Sequence, residues 1–253
     1  MKLTMEGRAA LVTGANGGLG SHFAQTLAAA GAHVAVAARR VETLSPVVDA
    51  IAAAGGRAEP IALDVTDPAS VALAFEDAAA KLGPITAVIN NAGIAVTKPL
   101  LEHTEEDWQQ VIEVNLNGAW RVAQAAARHM VAHRKGGSIV NIASVLGLRV
   151  AMQVPSYVAS KAALIHLTKA MALELARHKI RVNALAPGYV ETALNADFFA
   201  TEAGHALIKR VPQRRLGKLA ELDGALLLLA SDAGSFTTGA VLAVDGGHLV
   251  NTL

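Results

Sequence analysis

The 253-residue chain contains no cysteine, which excludes disulfides, thiolate nucleophiles and cysteine-ligated metals. Aromatic residues are scarce, with only two tyrosines and two tryptophans, so a tyrosine set beside other reactive side chains stands out. Neither sign of charge prevails. The 22 basic and 21 acidic residues leave a net charge of +1 with no basic run or tail, and nucleic acid and anionic membrane are not expected as partners. No apolar run approaches the ~20 residues needed to span a bilayer. The opening MKLTMEGRAALVTG is broken by Gly14 and followed by no small-residue cleavage site, so it reads as a first strand and not a signal peptide. A cytoplasmic protein is expected.

Hydrophobic residues make up 53% of the chain, enough for one full core. Short β-rich runs at 8–13, 33–38, 58–63, 85–90, 138–143, 180–185 and 240–245 alternate with helical patterns at about 19–30, 43–54, 68–81, 105–134, 156–177 and 219–230. Strands apolar throughout are buried on both faces, which predicts α/β architecture: a seven-stranded, mostly parallel sheet with helices on both faces. No polar linker divides the pattern, so residues 1–253 form a single doubly wound domain. The exception is 193–218, which breaks the rhythm and reads as a substrate lid.

TGANGGLG (13–20) follows the first strand and opens the first helix. Gly14, Gly18 and Gly20 permit a tight turn and a close approach to a pyrophosphate, whose charge then rests at a helix N-terminus. This is the signature of a Rossmann-type dinucleotide site, although a plain strand-to-helix turn uses similar residues. An NAD site calls for an acid at the end of the second strand. Here that strand ends in Ala38, with Arg39 and Arg40 behind it, so NADP(H) is preferred and NAD(H) remains usable. The alternative is that both arginines are solvated loop cations. Asp64 is a candidate acceptor for an adenine amine, whereas Asp67 reads as the cap of the helix beginning near Pro68. NNAG (90–93) leaves the fourth strand with small residues suited to a nearby ligand.

YVASK places Tyr157 and Lys161 four residues apart where a helical run begins, so the lysine charge acts on the phenol. Ser144 ends the fifth strand 13 residues earlier, and Asn115 lies in the preceding helix within VNLNG. Ser144 also reads as a turn hydroxyl and Asn115 as an amide bonded to backbone.

Taken together, TGANGGLG, DVTD, NNAG, NLNG, the Ser144–Tyr157–Lys161 spacing, PGYVET (187–192) and VDGG (244–247) resemble the short-chain dehydrogenase/reductase family, in its group of chains near 250 residues. The resemblance implies Tyr157 as general acid/base, Ser144 as the carbonyl-orienting hydroxyl, Lys161 as ribose anchor and modifier of the phenol, and Asn115 as holder of a relay water. It implies cofactor contacts from Gly14, Asn16, Gly18, Leu19, Gly20, Arg39, Arg40, Asp64 and Val65. Asn91, Ala92, Gly93, Tyr157, Lys161, Pro187, Gly188, Val190 and Thr192 complete that set, though Thr192 also suits a helix cap. It further implies a homotetramer. A phenol titrates near 10, and a neighbouring ammonium is expected to lower it.

For the substrate, Val145, Leu146, Gln153, Val154, Tyr189, Leu194 and Phe198 are the expected pocket residues. Their mostly apolar character points to a neutral, moderately hydrophobic ketone or its secondary alcohol. Lys209, Arg210, Arg214 and Arg215 leave an acidic substrate open. A second reading is a 3-oxoacyl-[acyl-carrier-protein] reductase, which Arg128 fits and Leu173 does not. A third, of another class, is an NADP-sensing regulator without catalysis. The nine histidines show no ligand spacing; His22, His129, His133 and His178 are expected to face solvent, and no metal site is expected.

Overall fold

A computed structural model describes residues 3–192 and 196–250. Its strands are β1 (Ala9–Thr13), β2 (His33–Ala38), β3 (Arg57–Ala62), β4 (Ile85–Asn90), β5 (Gly137–Ile142), β6 (Ile180–Pro187) and β7 (Val241–Val244). All seven expected strands are present, and every pairing is parallel in the order β3-β2-β1-β4-β5-β6-β7. The order reverses between β1 and β4, and in such sheets the crevice beyond the strand ends at that switch point receives ligands. Pro60 sits in β3, where an edge strand tolerates a missing amide donor.

The α-helices are α1 (Gly18–Ala29), α2 (Ser45–Ala53), α3 (Pro68–Leu82), α4 (Glu105–Ile112), α5 (Ala119–Ala132), α6 (Pro155–Leu175), α7 (Ala196–Phe199), α8 (Glu202–Ile208) and α9 (Asp223–Ala230). Alternate residues of each central strand feed two cores. Ala10, Val12, Val34 and Val36 pack with Phe23, Leu27 and Leu226, while Leu11, Ala35 and Val88 pack with Phe75, Val122 and Met130. Each fully buried large aliphatic or aromatic side chain contributes roughly 1.5–3 kcal/mol, which is why strands buried on both faces carry almost no polar residues.

Two expectations are corrected. The helix expected over 105–134 is interrupted by a π-helical stretch, Glu113–Gly118, between α4 and α5. Two of the histidines expected in solvent are half-buried and bonded to distant elements: His22 Nε2 lies 2.7 Å from Asp223 Oδ1, tying α1 to α9, and His129 Nε2 accepts from the Ile85 amide at 3.0 Å. Asp67 caps α3 as expected, accepting from Ala69 N at 2.9 Å. Among the described residues, no helix is long and apolar enough to cross a membrane.

Candidate active site

The switch point holds a cavity of about 980 Å³. Its walls include Gly14, Asn16, Gly18, Leu19 and Gly20 from the β1–α1 turn, Arg39 and Arg40 from the end of β2, and Asp64 and Val65 after β3. Asn91, Ala92 and Gly93 join from the end of β4, with Tyr157, Lys161, Pro187, Gly188, Tyr189, Val190 and Thr192 from the other side. Every residue expected at the cofactor thus lines one space.

The phosphate turn is held by close packing. Gly14 has φ +63°, and a Cβ on Gly20 would stand 2.1 Å from the Gly14 carbonyl oxygen, so the turn folds back on the first turn of α1 only because Gly20 lacks one. Asn91 Nδ2 donates to the Thr13 and Gly14 carbonyls at 2.9 and 3.2 Å, while Thr13 Oγ1 accepts from the Asn91 and Ala92 amides, both at 3.0 Å. These bonds clasp the ends of β1 and β4 across the crevice. A Cβ on Gly17 or Gly18 would meet nothing within 4 Å, so the open side of the turn leaves room for a diphosphate at a helix N-terminus. Asp64 is raised by its burial, but hydrogen bonds from the Thr66 hydroxyl and amide, together with the Arg39 charge, outweigh that and lower it. The residues present fit a dinucleotide with a charged 2′ position.

At the other end, Pro155 occupies the first turn of α6, where a missing amide donor costs nothing. Tyr157 therefore enters the first turn and Lys161 follows one turn later, its Nζ 5.6 Å from the centre of the Tyr157 ring. Lys161 is 4% exposed and donates to the Ile142 carbonyl at 2.8 Å; burial lowers it to about 8. Burial also raises the Tyr157 phenol, with Ser144 acting in the opposite sense and Tyr189 adding to the rise. The rise is opposite in direction to the lowering expected from the lysine. Gly147 is what brings the Ser144 loop close, since a Cβ there would lie 2.8 Å from the Lys161 backbone. Ser144 Oγ accepts from Leu146 N at 3.1 Å.

Asn115 sits in the π-helical stretch, a feature that recurs at functional sites. Its Oδ1 accepts from the Ile94 amide and its Nδ2 donates to the Ile94 carbonyl, both at 2.8 Å, and Nδ2 also reaches Ser160 Oγ at 3.1 Å. It braces the irregular segment that follows NNAG. A Cβ on Gly93 would lie 3.3 Å from Asn115 Oδ1 and 3.6 Å from Lys161 Nζ, so the two residues meet at one point of the cavity floor.

The expected substrate residues divide. Tyr189 lines the cavity and packs edge-on against Phe199 at 5.8 Å. Val145 is only 1% exposed and belongs to the interior instead of the wall. Leu146, Gln153, Val154 and Phe198 also lie off the cavity lining. Gln153, at φ +67°, has its carbonyl accepting from Lys98 N at 2.9 Å. Leu194 falls outside the described residues. Sequence reasoning passed over Ile94 and Ala95, which line the cavity.

The family model described as short chain dehydrogenase matches residues 8–203, and the chain belongs to that family. It is 42% identical over 242 residues to cis-4-hydroxycyclohexanecarboxylate dehydrogenase of Sinomonas cyclohexanicum, covering 95% of this chain and 96% of that protein. It is 38% identical to the 3-oxoacyl-[acyl-carrier-protein] reductase of Thermotoga maritima, covering 98% and 100%. A solved gluconate 5-dehydrogenase from Burkholderia cenocepacia J2315, in complex with NADP and tartrate, superposes with a TM-score of 0.94 at 38% identity, covering 99% of this chain and 98% of that one. The protein is an oxidoreductase of the class acting on CH–OH and C=O groups.

Proposed function

We propose that this chain interconverts a small-molecule ketone and its secondary alcohol with NADP(H) in preference to NAD(H), Tyr157 serving as general acid and base. The observation that carries the reading is the convergence of the Tyr157–Lys161 pair and the glycine turn on one cavity with Arg39 and Arg40 at its far end. Gly14, Gly18, Gly20, Asn91 and Lys161 would hold the cofactor, and Arg39 would pair with its 2′-phosphate. When bound, the nicotinamide supplies or accepts the hydride. The chain moves the proton: Tyr157 Oη gives it to the carbonyl oxygen or takes it from the alcohol, Ser144 Oγ orients that oxygen, and the Lys161 charge stabilises the phenolate when it forms. A phenol raised by burial holds its proton at neutral pH, which suits it to reduction.

Relatives named for a cyclohexanecarboxylate, a gluconate and a carrier-bound oxoacyl group share only the secondary alcohol or ketone, so the family does not give the substrate. A neutral, moderately hydrophobic reacting end suits Ile94, Ala95, Val114, Ile142 and Ala143, the apolar residues on the wall. Carrier-protein delivery is disfavoured, because Leu173, where a second docking cation is required, is apolar and 83% exposed. The segment 193–218, carrying α7 and α8, serves as the substrate lid, and the assembly is a homotetramer. The test is the initial rate of NADPH and NADH oxidation against a panel of ketones, with Tyr157→Phe as control. A rate that favours NADPH and collapses in the variant supports the reading; tight NADPH binding without turnover of any ketone moves the weight to a sensing role.

A further inference from the structure

Past Tyr189 the site changes character. Tyr157 and Tyr189 line the same cavity, so a molecule whose carbonyl oxygen meets Tyr157 has Tyr189 on the wall beside it. On its other side the Tyr189 ring meets His248 edge-on at 5.3 Å. Arg149 enters this corner from the loop after Ser144, half-buried, and donates through Nη1 to the His248 carbonyl. It makes no other side-chain hydrogen bond and no ion pair among the described residues. His248 is 9% exposed, and among the described residues its buried Nδ1 has no partner.

The acid of this corner does not answer the arginine. Asp245 accepts from the Gly247 and Leu249 amides at 2.8 and 2.7 Å, and its carboxylate is committed to that turn. Arg210 adds a second positive charge, since both arginines act on Tyr189 and on His248. Two other cations considered from sequence are engaged elsewhere: Arg215 is paired with Glu221 at 2.6 Å, and Arg214 donates to the Lys209 carbonyl. A half-buried guanidinium with donors to spare, beside a buried imidazole nitrogen lacking a partner, is an unfavourable arrangement until an oxyanion arrives to accept from them.

We propose that Arg149, seated against His248 on the far side of Tyr189, receives a carboxylate of the substrate, so that the enzyme takes keto acids or hydroxy acids whose acid group stands a few carbons from the reacting carbon. This rests on the ketone-and-alcohol reading above and adds a charged group at the end of the substrate away from its neutral reacting carbon. Arg149 is a specificity-determining residue in this scheme; it exchanges no proton and touches no reacting atom.

The test uses the full chain saturated with NADP+ and calorimetric titration of levulinate and 5-oxohexanoate, each beside its methyl ester. A charged hydrogen-bonded contact of this kind corresponds to roughly ten- to hundredfold in affinity. The acids are expected to bind at least about tenfold more tightly than their esters, the ratio falling to near one in Arg149→Gln and surviving in part in Arg149→Lys. Equal binding of acid and ester, a ratio unchanged in Arg149→Gln, or no binding of either acid overturns the proposal. NADPH oxidation with the same four compounds separates the two readings. Acid preference in binding with no turnover sinks the reductase and leaves the anion site; turnover of acid and ester with equal efficiency does the reverse.

Discussion

Lys161 Nζ lies 5.6 Å from the centre of the Tyr157 ring and donates to the Ile142 carbonyl at 2.8 Å. The bond to the end of β5 anchors the ammonium beside the phenol ring. Anchoring a cation there is costly, because burial lowers Lys161 from 10.5 to about 8. The sign follows from linkage. Below about pH 8 the lysine is protonated both folded and unfolded, and the folded state bears the whole cost. As pH rises from about 8 to 10.5 the folded protein releases its proton first, and the cost is lifted. Lys161→Met removes this dependence. The melting temperature of the wild type relative to the variant should therefore climb between pH 8 and 10 and stay flat between 6 and 7.5; a flat difference throughout would show that the lysine is not buried as described. In the same variant, alcohol oxidation and ketone reduction should both fall, since the phenolate that Lys161 stabilises is the base in one direction and the product of proton donation in the other.

The Arg39 guanidinium stands on the cavity wall beside Ala38, where an acid would have bonded a ribose hydroxyl. Arg39→Ala removes a charge-assisted bond to the 2′-phosphate, worth about 1.5–3 kcal/mol or roughly ten- to hundredfold in affinity. The Michaelis constant for NADPH should rise by that factor while that for NADH stays within about twofold. Equal rises for both cofactors would sink the NADP assignment.

Two glycines of the same turn should respond oppositely to a side chain. Gly17 has an extended backbone, φ 174°, and a Cβ there meets nothing within 4 Å. Gly17→Arg should fold normally and raise the ratio of NADPH to NADH efficiency by bringing a second cation to the phosphate end. At Gly20 the added Cβ would be 2.1 Å from a backbone oxygen that cannot yield without opening the turn. Gly20→Ala should abolish measurable NADPH binding in fluorescence titration. Intact binding in that variant would mean that the turn is not closed as described.

The strands and their parallel pairing were legible because burial on both faces leaves an apolar signature that runs along a single element. The glycine turn, Tyr157 and Lys161 were legible because their spacing is local. What escaped depends on elements distant in sequence. The π-helical stretch at Glu113–Gly118 reflects the bonds of Asn115 to Ile94, 21 residues earlier, and nothing in the helical period of 105–134 announces it. His129 was read as exposed because its partner, the amide that starts β4, lies 44 residues away. Arg149 and His248 meet across 99 residues. The direction of the Tyr157 shift escapes for a related reason: spacing shows the neighbouring charge, whereas burial, the main cause of the rise, is a property of the whole fold.

The apolar residues left in solvent predict the assembly. Leu101 is 98% exposed and Leu100 70% in the turn before α4, Trp108 42% on α4, Trp120 44% on α5 and Leu173 83% on α6. Exposed apolar surface of this kind marks subunit contacts. Light scattering should give about four times the 26.0 kDa chain mass, and Trp120→Glu with Leu173→Glu should lower it without loss of helical circular dichroism. A monomeric wild type would overturn the tetramer.

Asn115 offers a test of whether the π-helical stretch serves the chemistry or only the packing. Its amide makes three hydrogen bonds, two to the Ile94 backbone and one to Ser160. Asn115→Ala leaves the half-buried Ile94 amide and carbonyl without their side-chain partner, at up to about 1–3 kcal/mol for each group, and should lower the melting temperature by several degrees on the usual scale for a chain of this size. Asn115→Asp keeps the acceptor for the Ile94 amide but loses the donor, so its stability should fall between the two. If the stretch only braces the loop, turnover per folded molecule at 15 °C, well below either transition, should match the wild type in both variants. The proximity of Asn115 Oδ1 and Lys161 Nζ to the same point beside Gly93 argues for the other outcome: kcat falls by an order of magnitude or more in Asn115→Ala while NADPH binding, which depends on the glycine turn and Arg39, is retained.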